Sequence, residues 1–539
     1  MGGGDAGRMH PREHVATSPG KPAIVMAGSA RALPYRDLVS RSNRVARCFR
    51  DLGLEVGDGV AILLENHFRF FEPVWATQNS GLYLTTLSTH LTPAELAHIL
   101  NDSGARILVT SRAFAEKVAA LIPLASGVGH ILMMDGTIGR TQSYEALTDG
   151  QEDGPLPGEV QGNFMLYSSG TTGFPKGIKP QLTGLPLGEL TGILKTLIPT
   201  HGLREQSVYL SPGPLYHTAP LKWNIAIQSV GGTSVIMEQF DAEAMLAAIE
   251  RHRVTHVQCV PTMFVRLLRL PDAVRAQYDL SSLERVIHAA APCPIDVKER
   301  MIEWLGPIVE EYYAGTESNG LCVITAEEWL MRKGSVGRSV RGAIHIMDDT
   351  GEQELPPGEP GVIYFEGGTS FVYHKDPEKT ARSRNNKGWS AIGDVGYVDS
   401  EGYLFLTDRK DNVIISGGVN IYPQEAENLL TTHPKVFDAA VLGVPNADFG
   451  EEVKAVVQLM PGVAPSLELE GELRAWLSGR LAGIKQPRSY DYVESLPRLP
   501  TGKLLKRVLR ERYWKNNLCS GATIAERITS NTTHSENDR

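Results

Sequence analysis

The chain has 539 residues, 42% hydrophobic and 21% charged, which predicts a soluble globular protein of at least two domains. A net charge of -9 argues against a nucleic-acid partner, because no excess of Lys and Arg is available to neutralise a phosphate backbone. The five cysteines Cys48, Cys259, Cys293, Cys322 and Cys519 are scattered without a CxxC pair and support neither a disulfide framework nor a thiolate zinc site.

In chain order, residues 1–17 lack apolar periodicity and are expected to be disordered, as are 516–539. Met1-Gly2-Gly3-Gly4-Asp5 lacks the charged-then-apolar order of a secretory signal. No stretch has the apolar length of a membrane span, so a cytoplasmic location without a transmembrane segment is expected. Asp241 can cap a helix carrying Met245, Leu246 and Ile249 on one face, and residues 254–260 then read as a buried strand. The alternation recurs as a strand over 283–288 and a helix over 296–304. It predicts an α/β architecture with ligand loops at the carboxyl ends of strands. The turn-rich residues 355–361 and apolar residues 362–365 predict short strands in a barrel-like β lobe. After Asp411, strands over 436–444 and 453–459 and a helix over 469–481 predict a small α+β domain. The expected organisation is a large N-terminal domain of mixed α/β subdomains over 18–408, a hinge at 409–411 and a mobile C-terminal domain over 412–515.

The densest chemical signal is Tyr167-Ser168-Ser169-Gly170-Thr171-Thr172-Gly173-Phe174-Pro175-Lys176-Gly177, which follows the apolar run Phe164-Met165-Leu166. Glycines let backbone N–H groups approach anionic oxygens, hydroxyls add neutral donors, and Lys176 supplies a mobile positive charge. That is the composition of a phosphate loop. The spacing is not the Walker pattern, since no Ser or Thr follows Lys176.

Further motifs follow in order: Pro214-Leu215-Tyr216-His217, Ala290-Ala291-Pro292, Tyr313-Ala314-Gly315-Thr316-Glu317, Gly393-Asp394, Asp408-Arg409-Lys410-Asp411 and Pro500-Thr501-Gly502-Lys503. With the phosphate loop, this series resembles the AMP-forming adenylating enzymes, the superfamily of acyl-CoA synthetases, nonribosomal peptide adenylation domains and beetle luciferases. The resemblance covers roughly residues 20 to 513.

The resemblance implies a reaction in which a carboxylate attacks the α-phosphorus of ATP and pyrophosphate leaves. It implies that the loop from Ser168 to Lys176 wraps the β- and γ-phosphates, that Thr316 donates to the α-phosphate, and that Glu317 is the Mg²⁺ ligand. Ala290, Ala291 and Pro292 resemble the turn that lines adenine, with Tyr313 offering an aromatic face. Ala314 stands where the family usually has glycine. Asp394 resembles the ribose-hydroxyl acceptor, helped by Arg409. Lys503 resembles the C-terminal-domain lysine that bridges the substrate carboxylate and the nucleotide.

For the second half-reaction, Asp411 matches the hinge position, and Gly417 and Gly418 resemble the loop lining the pantetheine tunnel of CoA. A tight turn explains Gly417 equally well. The acid pocket is expected around His217, Gly315, Trp223, Met263 and Phe264. Because His217 replaces the Asp region that pairs with a substrate amine, an unaminated fatty or aryl acid is favoured. Each of these apolar side chains also fits a core position. The expected function is ATP-dependent acyl-CoA synthesis through acyl-AMP. Transfer to an amine, as in amide-bond synthetases, is the alternative, and a non-catalytic acyl-adenylate sensor is a rival of another class. Nothing in the sequence calls for luciferase oxygen chemistry. A homodimer is compatible with the sequence.

Overall fold

The structure is a computed structural model and describes residues 9–168, 175–190, 192–498 and 504–517. The chain divides into two compact units, the first reaching Leu406 and the second beginning at Thr407.

Two large sheets and a two-stranded hairpin build the first unit. One has six strands in the order Gln142–Ser143, His130–Met134, Ala105–Ser111, Gly59–Leu63, Tyr83–Thr86 and Asn163–Phe164, all paired in parallel. Parallel neighbours need crossovers, and helices such as Pro93–Ser103 supply them. That helix is bounded by a Thr92/Glu95 capping box and by Gly104 at φ 68°. Covered on both faces, the central strand Gly59–Leu63 is apolar almost throughout.

The second sheet has 13 strands. Its parallel stretch runs from Pro22–Met26 through Thr233–Ile236, Val208–Ser211, His256–Cys259 and Arg285–His288 to Val309–Tyr313. Leu321–Ile324 then switches the pairing to antiparallel. The lobe expected to be barrel-like forms this end of the sheet, where Ala343–Met347, Gly361–Glu366 and Ser390–Val398 are consecutive neighbours. Asp241 caps the helix Ala242–His252 by accepting from Ala244 N at 2.8 Å.

The second unit is a five-stranded sheet centred on Val436–Asn446 and Gly450–Leu459, with helices Pro423–Thr431, Leu467–Leu477 and Lys506–Asn517. Its core joins Leu430, Val441, Ala455, Leu473 and Leu477, all essentially buried.

The expectation of disorder over 1–17 is corrected in part, because Pro11–Thr17 is a helix. Long-range contacts hold it: His10 Nε2 lies 2.9 Å from Asn79 Oδ1, and the Arg12 guanidinium grips both oxygens of Glu159 at 2.7 and 2.6 Å. A local pattern of polar residues carries no trace of such partners. At the other end the helix Lys506–Asn517 carries order two residues past 515, and 518–539 lie outside the described residues.

Candidate active site

Four neighbouring parallel strands end on one edge of the 13-stranded sheet, and the loops that follow them carry most of the expected site residues. Val208–Ser211 leads to His217, His256–Cys259 to Met263 and Phe264, Arg285–His288 to Ala290–Pro292, and Val309–Tyr313 to Ala314–Glu317. Side chains and backbone groups at carboxyl ends of parallel strands converge on a common crevice, the usual position of an α/β ligand site.

Tyr313 closes its strand and donates its phenolic proton to Asp394 Oδ2 at 2.6 Å. Asp394 lies in the strand Ser390–Val398 and is 7% exposed. Gly393 before it has φ 87°. Two motifs 81 residues apart thus meet at one carboxylate. Past Tyr313 the loop turns tightly, with Ser318 at φ 56°. A Cβ on Gly315 would lie 2.6 Å from Ile392 Cδ1 and 3.1 Å from Glu317 Oε2, so a side chain here would require the Ile392 and Glu317 side chains to shift. Ala314 and Thr316 are half-buried.

Glu317 is buried, and Tyr373 OH donates to its Oε1 at 2.8 Å. Among the described residues no group of three or more His, Cys, Asp or Glu side chains could cage a metal ion. A single carboxylate with one oxygen tied by a neutral donor fits Mg²⁺, which keeps waters and takes substrate phosphate oxygens.

Ala290 adopts φ 75°, a left-handed conformation that costs a non-glycine residue about 1–2 kcal/mol. It is exposed, Ala291 is half-buried and Pro292 is exposed, so the turn offers small apolar surface at the edge of the crevice.

His217 is the N-cap residue of the helix Thr218–Ser229. Burial, with a smaller contribution from His90, pushes its pKa down to about 3, so the imidazole is neutral across the physiological range. Its Nε2 is buried without a hydrogen-bond partner, and its ring centroid lies 4.4 Å from that of Tyr216.

Ser168 and Lys176 face each other as the paired residues of the hairpin Leu166–Ser168/Lys176–Ile178. Ser169, Gly170, Thr171, Thr172 and Gly173, expected to cradle phosphates, lie outside the described residues. Lys176 is ion-paired with Asp376, the N-cap of the helix Pro377–Arg382. The hydrogen bond from Lys176 holds the Asp376 carboxyl below its usual range. The lysine expected to be a mobile charge is therefore parked on a carboxylate 200 residues away in sequence.

For Trp223 and Phe264 the expectation of an acid-pocket wall is corrected. Trp223 has no exposure, stacks on Tyr209 at 5.7 Å and donates to Tyr312 OH at 3.4 Å. Phe264 is equally enclosed, edge-on to His288 at 5.3 Å. Both are core rings, each enclosed in a cluster of buried apolar side chains. Met263 is 9% exposed.

Sequence reasoning missed Lys222 and Arg341. Lys222 Nζ lies 3.4 Å from Ser318 Oγ, one residue past Glu317. Burial, reinforced by Arg341 and opposed by Glu317, lowers the Lys222 pKa to about 8. The available signal was that Lys222 is the single charged residue in the apolar helix sequence TAPLKWNIAIQS.

In the second unit, Arg409 ends the strand Leu404–Arg409 and Asp411 lies in the short turn Lys410–Asn412. Gly417 and Gly418 connect the hairpin Ile414–Ser416/Val419–Ile421 with φ 58° and 81°. Two positive φ values in a two-residue hairpin turn are the type I′ geometry, which by itself accounts for both glycines. Lys503 lies outside the described residues. Lys506 and Arg510 are paired with Glu427 and Glu451, each at 2.7 Å, because the helix Lys506–Asn517 packs on this unit's sheet.

Residues 11–371 match the family described as AMP-binding enzyme, and residues 425–503 match the AMP-binding enzyme C-terminal domain. The chain is 35% identical over 508 residues to a feruloyl-CoA synthase of Amycolatopsis sp, covering 93% of this chain and 98% of that protein. It is 30% identical over 513 residues to a long-chain-fatty-acid–CoA ligase of Mycobacterium tuberculosis, covering 93% and 97%. The solved structure of the amide bond synthetase McbA from Marinactinospora thermotolerans aligns with a TM-score of 0.78 at 27% identity, covering 93% of this chain and 99% of that one. No helix among the described residues is long and apolar enough to cross a membrane.

Proposed function

The chain belongs to the AMP-binding enzyme family, and from that premise we propose how its own residues carry out the reaction of an AMP-forming acid–thiol ligase. The enzyme activates a carboxylic acid with ATP to an acyl-AMP, releasing pyrophosphate, and passes the acyl group to CoA.

In the first half-reaction a carboxylate oxygen of the acid attacks the α-phosphorus and the bond to the pyrophosphate oxygen breaks. Asp394 accepts from the ribose hydroxyls, and the Tyr313 hydrogen bond fixes the carboxylate's orientation. The ring of Tyr313 and the turn Ala290-Ala291-Pro292 flank the adenine. Thr316 donates to the α-phosphate. Glu317 would hold Mg²⁺, which when bound supplies positive charge against the phosphate oxygens. Neutral His217, in its Nε2–H tautomer, donates to the acid carboxylate without adding a charge that would dull its nucleophilicity. Lys176 leaves Asp376 for the leaving pyrophosphate, and Lys503 bridges the acid and the nucleotide.

In the second half-reaction the CoA sulfur attacks the acyl carbonyl and AMP leaves. Rotation at Asp411 and passage of pantetheine beside Gly417 and Gly418 serve this step, with Arg409 at the nucleotide. The acid is a hydrophobic fatty or aryl acid. Reliance on ATP and CoA, both present in the cytoplasm, supports a cytoplasmic location.

The observation that carries this reading is the hydrogen bond that joins Tyr313, four residues before the buried Glu317, to Asp394. The test is pyrophosphate release over a panel of fatty and aryl acids, with CoA and with amines as acceptors. Acid-dependent release with acyl-CoA as product is expected. Release with amide as the sole product would replace CoA by an amine, and no acid-dependent release would leave a nucleotide-binding protein without the ligase reaction.

A further inference from the structure

Glu317 is held from outside its own loop. Tyr373 OH donates to Glu317 Oε1 at 2.8 Å across 56 residues of sequence, and both side chains are buried. A buried carboxylate keeps the orientation its donor imposes, because turning away would leave both groups unsatisfied. The other oxygen, Oε2, lies beside Gly315, where a Cβ would come within 3.1 Å of it. The Tyr373 ring is fixed in turn, edge-on to Phe371 at 5.4 Å and with the Lys379 ammonium 4.0 Å over its face. The backbone beneath it is registered on the phosphate hairpin. Tyr373 bridges Ile178 in antiparallel pairing, and His374 N donates to Gly177 O at 2.8 Å. Next in the chain, Lys375 adopts φ 54° and donates to Asp102 O at 2.7 Å, and Asp376 takes the ion pair with Lys176. Residues 373–376 thus grip both the carboxylate assigned to the metal and the lysine assigned to the pyrophosphate.

We propose that Tyr373 is a positioning residue, whose hydroxyl sets the Glu317 carboxylate in the orientation that receives Mg²⁺, in register with the phosphate hairpin. This rests on the Mg²⁺ role given to Glu317 in the ligase reading above. A lone carboxylate gives a hydrated cation one protein anchor, so the direction of that anchor decides how the cation meets the phosphate oxygens. A hydrogen-bonded partner that orients such a ligand accounts for about 10- to 100-fold in metal affinity. Because the backbone of Tyr373 and His374 pairs with Gly177 and Ile178, the carboxylate and Lys176 are referred to one frame. Packing alone would need the ring of Tyr373 and not its hydroxyl. The two contributions can therefore be separated by one oxygen atom.

Tyr373→Phe keeps the ring and the backbone bridge and removes only the hydroxyl. Binding of α,β-methylene-ATP, whose bond to the pyrophosphate group cannot be split, is measured by calorimetry in excess Mg²⁺ and again in EDTA. The parent should bind it more tightly with Mg²⁺. Tyr373→Phe should lower the affinity in Mg²⁺ by about tenfold and leave the affinity in EDTA unchanged, with thermal midpoints confirming that the variant is folded. On top of Glu317→Gln, the same substitution should cost nothing further. An unchanged affinity in Mg²⁺ for folded Tyr373→Phe overturns the proposal. So does an equal loss in Mg²⁺ and EDTA, which would make Tyr373 a general support of the crevice, and so does a full additional loss on Glu317→Gln, which would assign the hydroxyl to another group. A parent indifferent to Mg²⁺ would remove the metal role of Glu317 and this inference with it. Failure of the ligase reading shows separately, as absence of acid-dependent pyrophosphate release from a parent that does bind the analogue more tightly with Mg²⁺, and would leave the Tyr373 assignment standing.

Discussion

Tyr313 holds Asp394 through a 2.6 Å hydrogen bond, so the residue expected to face the adenine also orients the residue expected to hold the ribose. Tyr313→Phe keeps the ring and removes the hydroxyl. A hydrogen bond to a charged group contributes about 1.5–3 kcal/mol, so the KM for ATP should rise by about 10- to 100-fold. The same change made on top of Asp394→Asn should add little. Additive losses in this double-mutant cycle would show that the two residues act separately.

Trp223→Ala should lower stability by about 3–5 kcal/mol, the cost of emptying a buried aromatic site, and leave the relative rates on different acids unchanged. Denaturant unfolding and an acid panel read the two effects. A shifted acid profile at near-parental stability would return this ring to the pocket wall.

Lys222 carries a pH signature. Its pKa falls from 10.5 to about 8 on burial, with Arg341 adding to the effect and Glu317 opposing it. The unfolded chain therefore binds this proton more tightly. The stability cost is fully present below about 8 and fades as the pH rises towards 10.5. Lys222→Met should accordingly raise the thermal midpoint at pH 7 and lose that advantage by pH 10.5. A midpoint difference that does not change with pH would mean that the ammonium is adequately compensated.

Gly418 separates turn strain from tunnel blockage. A Cβ there meets nothing within 4 Å, but φ is 81°. Gly418→Asn, which tolerates the left-handed region, should form acyl-CoA faster than Gly418→Leu if pantetheine passes close by. Both variants, and Asp411→Pro, should still release pyrophosphate in a single turnover. Equal acyl-CoA rates for Asn, Leu and the parent would remove the tunnel assignment.

The alternation of strand and helix was legible because burial and capping leave local marks. Asp241 before an apolar face and the run over 254–260 announced their elements, and the order of motifs announced the family. Partnerships were not legible, because contacts between distant residues leave no period in the chain. Nothing near Lys176 points to Asp376, and nothing near Tyr313 points to Asp394. His10 and Arg12 gave no hint of Asn79 and Glu159. Trp223 shows a different limit, since an aromatic ring beside a site motif fits a core and a pocket equally until its neighbours are known. Lys222 was overlooked because it lies in an apolar helix just past a recognisable motif and belongs to none.

For Lys503, the prediction is a loss of about 10² to 10³ in adenylation on substitution by alanine, the scale of one preorganised electrostatic contact, with thiolation of supplied acyl-adenylate surviving. Equal loss in both half-reactions would remove its assigned role.

The most direct measurement of the central claim is the fate of carboxylate oxygen in a turnover with ATP, CoA and an acid labelled with ¹⁸O at both carboxyl positions. Attack on the α-phosphorus makes one of those oxygens the bridge of the acyl-AMP, and thiolysis then leaves it on the phosphate of AMP. Mass spectrometry should find one labelled oxygen in AMP and one in the acyl-CoA. Unlabelled AMP, or label in orthophosphate alongside ADP, would contradict an acyl-adenylate intermediate.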